Sequence, residues 1–269
     1  MSKIKLIAID IDGTLLNEEN LLAQETIDAV KEARQQGIKV VLCSGRPLTG
    51  VKPYLKKLGI SGENEYAITF NGAQAQDADG RIIEKFSLDY DDYLALEKLS
   101  HELNTNFQVE TKDYIYATNR DLSPYTVAES YLVNMPIRVR EPQEVTKDVE
   151  IVKAMLIADP DIIDNAIKNI PDSLLDHLSM VRSEPVFIEL MNQKASKGQA
   201  LSKLASNLNL TAENVMAIGD QGNDLTMVSY AGTGVAMGNG VDELKAVANK
   251  ITKTNKENGV AYAIRNFAL

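Results

Sequence analysis

Two aspartates stand two residues apart in the run IAIDIDGTLL, Ile7 to Leu16, which otherwise reads as a buried strand. Aspartate is depleted in strands, and a buried carboxylate is rarely tolerated unless it is paired or coordinates a metal. Asp10 and Asp12 therefore need a chemical reason to be there. A phosphate monoester bound beside a divalent cation supplies one, because the cation offsets the repulsion between the phosphate dianion and an attacking carboxylate. Mg2+ suits that task, since it favours oxygen donors, commonly one or two carboxylates with phosphate oxygens and water. In such chemistry Asp10 is the nucleophile that forms an aspartyl phosphate. Asp12 protonates the leaving oxygen and later deprotonates water. Gly13 allows a tight turn and close backbone approach, and Thr14 reads as a cap for the next element.

The other polar clusters also follow apolar strands: Ser44 and Gly45 after VVLC, Asn71 and Gly72 after AITF, and Gly219, Asp220, Asn223 and Asp224 after VMAI. In an open parallel sheet, ligands sit outside the carboxyl ends of the strands. Asp10, Asp220 and a backbone carbonyl near Asp12 would supply the metal site. The Ser44 hydroxyl and the Ile11 and Gly45 amides are donors suited to phosphate oxygens. Lys197 opens the helix SKGQALSKLA, where a cation opposes the helix dipole. That broken local rule points to a bound anion.

These residues need a frame. Strand KLIAID, helix QETIDAVKEARQQG, strand KVVLCSG, helix RPLTGVKPYLKKLG and strand EYAITFNG come one after another, with Ile27, Val30 and Ala33 at helical spacing and Gly37 as a C-terminal cap. Such alternation builds right-handed crossovers and a parallel sheet covered on both faces. The same alternation returns after residue 196. Between them, mixed helices and strands without the βαβ beat indicate an α+β insertion. The expected fold class is α/β: a Rossmann-like parallel-sheet core over residues 1–82 and 191–269, with an inserted α+β unit over 83–190. A hairpin turning at Asp79-Gly80 leads into the insert.

Composition narrows the partners. The 269 residues carry 28 basic and 38 acidic side chains, a net charge of −10, which disfavours nucleic acid and anionic membranes. No apolar run approaches the ~18 residues of a membrane span, and the first residues lack a signal-peptide core. Cys43, the single cysteine, reads as a buried strand residue in a reducing, cytoplasmic setting. His101 and His177 belong to no metal motif and read as surface or packing residues. Asp89 to Asp92 read as the solvated first turn of a helix. Arg138 and Arg140 fit alternate positions of an exposed strand face.

Taken in order, DIDGT at 10–14, Ser44, Lys197 and GDQGND at 219–224 resemble the four motifs of the haloacid dehalogenase-like (HAD) superfamily of phosphotransferases. SGRP, NGA at 71–73 and the long insert resemble its Cof-type subgroup, and the full length is similar to YidA-type sugar phosphatases. The resemblance implies a Mg2+-dependent phosphatase of small phosphorylated metabolites, above all sugar phosphates, with the insert as a cap that closes over the substrate. It implies that Lys197 neutralises the phosphoryl group, Asn223 hydrogen-bonds it, and Asp224 orients Lys197 or a metal-bound water. Asn71 and Gly72 would face the substrate, and Arg46 the cap or the distal groups of the substrate. The same motifs serve phosphosugar mutases. A phosphoryl-accepting regulator is the more distant alternative, since Asp12 and the large insert argue against a long-lived phosphoaspartate.

Overall fold

The computed structural model describes residues 3–269. The chain separates into two compact units, Met1–Lys85 with Ser196–Leu269, and Phe86–Ala195. In chain order the first unit supplies strands β1 (Leu6–Ile9), β2 (Lys39–Cys43), β3 (Tyr66–Thr69), β4 (Gln74–Asp77) and β5 (Ile82–Lys85). The second supplies β6 (Asn106–Glu110), β7 (Ile115–Ala117), β8 (Ile137–Val139), β9 (Lys153–Ile157), β10 (Leu178–Glu184) and β11 (Phe187–Asn192), after which β12 (Val215–Gly219), β13 (Thr233–Ala236) and β14 (Lys250–Ile251) return to the first. The helices are α1 (Gln24–Gln35), α2 (Leu48–Lys57), α3 (Tyr90–Glu102), α4 (Pro124–Val133), α5 (Pro160–Asn169), α6 (Asp172–Leu175), α7 (Lys197–Asn207), α8 (Leu225–Tyr230), α9 (Asp242–Val247) and α10 (Gly259–Ala263). Among the described residues no helix is long and apolar enough to cross a membrane.

The sheet of the first unit runs β14-β13-β12-β1-β2-β3-β4-β5, parallel from β14 to β3 and antiparallel beyond. Its central strands are buried on both faces, which explains their near-continuous apolar runs. Ile7, Ile9, Val40 and Leu42 pack with Val30 of α1, Val51 of α2 and Val260 of α10. Leu6, Ala8 and Val41 on the other face pack with Leu201 of α7, Val228 of α8 and Leu244 of α9. Each such leucine, isoleucine or valine contributes roughly 1.5–3 kcal/mol by leaving water. Because β1 is flanked by β2 on one side and β12 on the other, the order of connection reverses at β1, and its carboxyl end is where a crevice forms.

Local chemistry sets the helix ends. In α1, Thr26, Ala29, Val30 and Ala33 form the buried face. The chain leaves it through Gly37, at φ +79°, whose N–H donates to the Arg34 carbonyl while the Ile38 N–H donates to Ala33. That pair of bonds satisfies two terminal carbonyls and requires a left-handed residue, which glycine tolerates.

The second unit is a six-stranded sheet, β10-β11-β9-β6-β7-β8. One face carries Phe107, Val109, Ala154, Leu156, Ile188 and Leu190 against α3 and α5. The alternate positions of the same strands put Gln108, Glu110, Lys153 and Glu189 on the opposite face, where they are buried too. From α4, Tyr125 packs on the Met155, Ile157 and Phe187 cluster of that face.

The boundaries differ from the expected ones. β5 pairs with β4 from Gln74↔Lys85 onward, so the first unit runs to Lys85 instead of 82. β11 pairs with β10 as far as Leu178↔Asn192, so the second runs to Ala195 instead of 190. Backbone pairing holds a strand in its own sheet beyond the point where its apolar pattern fades. Asp92 is also not solvated: it is buried, forms a capping box with Asp89 and accepts a bond from His177 Nε2 at 2.7 Å. Arg138 lies with its guanidinium 3.4 Å from the Tyr114 ring centroid, a cation–π contact.

Candidate active site

Four adjacent parallel strands, β12, β1, β2 and β3, end at Gly219, Ile9, Cys43 and Thr69. The residues just beyond each end are the ones singled out by chemistry: Asp220, Asp10, Ser44 and Asn71. Asp10 is fixed by its own N–H, which donates to the Ile218 carbonyl across the β1–β12 pair at 3.0 Å. Lys197, at the start of α7 and fully buried, donates to Asp10 Oδ1 and Asp224 Oδ1, both at 2.6 Å. Asp224 Oδ2 accepts the backbone amides of Asp220 at 2.9 Å and Gln221 at 3.0 Å. Asp224 is therefore committed to holding Lys197 and shaping the turn after β12.

Asp220 is held from the opposite end of the chain. Thr14 Oγ1 donates to Asp220 Oδ1 at 2.7 Å, so Thr14 braces the carboxylate instead of capping a helix. Gly13, at φ +80°, leaves the room: a Cβ there would lie 2.3 Å from Asp220 Oδ2. The Gly13 carbonyl accepts from Asn239 Nδ2 at 2.9 Å. Asn239 had only one readable signal, its place just after another strand, β13.

The electrostatics are those of crowded acids around one cation. Burial pushes the Asp10 carboxyl well above the usual carboxylate range, Asp224 adds repulsion, and Lys197 opposes both. Burial likewise pushes Asp220 up to about 6, against the lowering effect of the Thr14 bond. For Lys197 burial acts downward, yet the Asp10 and Asp224 carboxylates outweigh it and hold the ammonium above its ordinary value. Such a site favours a further positive charge.

Asp10, Asp220 and Asp224 each offer a carboxylate oxygen within 4.8 Å of the others. An all-oxygen donor set of this kind fits Mg2+. Asp224 accepts from Lys197 and two amides, Asp10 from Lys197, and Asp220 from Thr14 and, at 3.3 Å, from Gln221 Nε2.

Three residues expected near the substrate, Arg46, Asn71 and Gly72, have partners within the protein. Arg46 grips Asp12 with both ends of its guanidinium, Nη2 to Oδ1 at 2.6 Å and Nε to Oδ2 at 2.9 Å, a bidentate geometry that fixes orientation as well as charge. Its own N–H donates to Ser44 Oγ at 3.1 Å. Asn71, expected to face substrate, accepts at Oδ1 from Asn223 Nδ2 at 3.0 Å. Gly72 is a packing position, since a Cβ there would meet the Ser196 carbonyl oxygen at 2.1 Å. Pairings 34 and 152 residues apart leave no local trace in a sequence.

Residues 7–264 match the family of haloacid dehalogenase-like hydrolases. The chain is 44% identical over 266 residues to YxeH of Bacillus subtilis, covering 98% of each chain. It is 35% identical over 266 residues to the 5-amino-6-(5-phospho-D-ribitylamino)uracil phosphatase YcsE of the same organism, covering 99% of this chain and 96% of that one. Among solved structures, a haloacid dehalogenase-like hydrolase from Bacteroides thetaiotaomicron superposes with a TM-score of 0.89 at 31% identity, covering 97% of this chain and 98% of that one.

Proposed function

Because the chain belongs to the haloacid dehalogenase-like hydrolases and is a phosphoric monoester hydrolase, we propose that it releases phosphate from small phosphorylated metabolites, sugar phosphates foremost, through an aspartyl phosphate on Asp10. The observation that carries this reading is the fully buried Lys197 bonded to both Asp10 and Asp224 at the carboxyl end of β1. A lysine fixed there neutralises charge on a phosphoryl group without having to reorganise.

In the first step an Asp10 oxygen attacks phosphorus, the bond from phosphorus to the ester oxygen breaks, and Asp12, freed from at least one of its two bonds to Arg46 so that it can carry a proton, delivers that proton to the ester oxygen. In the second, Asp12 takes a proton from water, whose oxygen attacks the same phosphorus and returns Asp10 as a carboxylate. Ser44, Asn223 and the Ile11 and Gly45 amides donate to the phosphoryl oxygens. Mg2+, held by Asp10, Asp220 and the Asp12 carbonyl, would supply Lewis-acid neutralisation of the dianion. The Phe86–Ala195 unit would supply selectivity for the remainder of the ester. Polyol phosphates are the next class to test, because YcsE, by its name, acts on a phosphorylated ribityl chain. The protein would work in a reducing cytoplasm, where the buried Cys43 stays a thiol.

The test is phosphate release from a panel of sugar phosphates, polyol phosphates and nucleotides, with Mg2+ or EDTA, and with Asp10→Asn as control. Metal-dependent release that disappears in the variant is expected. Release that persists in Asp10→Asn overturns the nucleophile, and isomerisation of a sugar phosphate without phosphate release, in the presence of a sugar bisphosphate, favours a mutase.

A further inference from the structure

Phe70 and Asn71 both adopt left-handed backbone, at φ +50° and +52°. Asparagine tolerates that region, but a bulky residue there is a genuine outlier. Two in succession occur where surrounding structure dictates them and where function is concentrated. The turn is tied on three sides. Its Phe70 N–H donates to the Arg46 carbonyl at 3.1 Å and its Asn71 N–H to the Ser44 carbonyl at 3.0 Å. Gly72 lies so close to the start of α7 that a Cβ would come within 2.7 Å of the Lys197 backbone nitrogen. The Asn71 carboxamide lies over Gly45, 3.2 Å from where a Cβ would sit, and its Oδ1 accepts from Asn223 Nδ2.

We propose that Asn71 is a positioning residue: it fixes the carboxamide of Asn223 so that the second Nδ2–H of Asn223 points at the phosphoryl oxygens. This rests on the phosphatase reading, in which Asn223 binds that group. The physical need is specific. The two ends of an asparagine amide are nearly the same shape, yet one donates and the other repels an anion. An acceptor at Asn71 Oδ1 can pair only with the nitrogen end. By occupying one of its two N–H groups, Asn71 turns Asn223 into a directed donor. The left-handed turn carries that acceptor between Gly45 and Asn223.

Asn71→Gly keeps the left-handed backbone and deletes the acceptor, so it is the variant of choice. With p-nitrophenyl phosphate and Mg2+, it should lower kcat/KM about 10- to 100-fold, the range for partners that orient a working group. Asn223→Ala should fall as far or further, and the double variant no further than Asn223→Ala alone. Calorimetric binding of inorganic phosphate in the presence of Mg2+ should weaken with the same non-additivity, while thermal unfolding reports that each variant is folded. Losses that multiply in the double variant would mean that Asn71 touches the substrate independently, and would overturn the proposal. So would Asn71→Gly at wild-type level in both assays, or a wild type that binds no phosphate. If the wild type binds phosphate but hydrolyses no ester, the phosphatase reading fails, and the non-additivity of phosphate binding still decides the role of Asn71.

Discussion

Lys153 and Lys197 invite comparison, since each is withdrawn from water and placed among carboxylates. Lys197 donates to two aspartates at 2.6 Å. Lys153, in the second unit, lies 3.2 Å from both Glu110 and Glu189 and 3.9 Å from Glu129. In both, burial works against the ammonium and the carboxylates overcome it. What separates them is completion and place. Around Lys197 the acids have further donors: Thr14 on Asp220, and two amides on Asp224. Around Lys153, Glu189 Oε2 and Gln108 Oε1 have no hydrogen-bond partner among the described residues, and Glu110 Oε2 has among them only the ion-pair approach of Lys153. Lys197 stands at the carboxyl ends of parallel strands, whereas Lys153 lies within a sheet, paired across strands at Glu110↔Lys153. Shifted ionisable groups accompany catalysis, but ion pairs that only fold the protein shift as well. Position on the fold decides between them.

The largest effect should come from Lys197→Met. Turnover should fall by at least about 10²–10³, the range for removing one fixed charge-stabilising donor. Stability should fall by about 3–5 kcal/mol, because buried carboxylates lose their partner. Added Mg2+ should restore part of that stability but not the turnover, which kinetics and thermal unfolding with and without the metal would check. Lys153→Met should cost about the same stability. Here Mg2+ should restore nothing, and kcat per folded molecule should be unchanged. If Lys153→Met lowered kcat while leaving unfolding untouched, the contrast between the two clusters would break.

Gly13→Ala sharpens the contrast from the metal side. Its Cβ would enter the space beside Asp220 Oδ2, at a φ that alanine avoids. Mg2+ affinity should drop about 10- to 100-fold, read as a rise in the metal concentration needed for half-maximal turnover. Unaltered metal dependence would remove Asp220 from the ligand set.

How far each cluster was legible depends on its construction. The frame was readable because β1, β2 and β12 are buried on both faces and so appear as unbroken apolar runs. Asp10 and Lys197 stood out because each violates the local preference of its element, and Asp220 because it follows an apolar strand as the other polar clusters do. The braces were not readable: Thr14 reaches Asp220 across 206 positions, and Arg46 finds Asp12 only once β1 and β2 are paired. The Lys153 cluster was hidden for another reason. NFQVE alternates polar with apolar residues, the pattern of a strand with one wet face, while VKAMLIA and FIELM each carry a single charge, Lys153 and Glu189, in an apolar run. Glu129 and Tyr125 of α4 reach that face, so the polar half is buried as well. Alternation reports that two faces differ, and which of them meets water is a tertiary fact.

The last prediction concerns the acid that makes the second cluster incomplete. Burial pushes Glu110 from its ordinary 4.5 up to about 7, with Glu129 and Glu189 adding to the rise and Lys153 opposing it. Between those two values the folded chain holds a proton that the unfolded chain has released. Stability therefore falls as pH rises from about 4.5 to about 7, and this contribution is constant on either side. His177, raised by its bond to Asp92, and Asp10 and Asp220 in the first unit act in the same direction. The total slope cannot isolate Glu110, but a difference can. Glu110→Gln mimics the protonated form at every pH, so its stability relative to wild type should climb across that window and level off above about 7. Denaturant unfolding of both proteins over a pH series reads this directly. A flat difference would mean that Lys153 holds Glu110 ionised throughout, which would make the second cluster as well balanced as the first and remove the distinction between them.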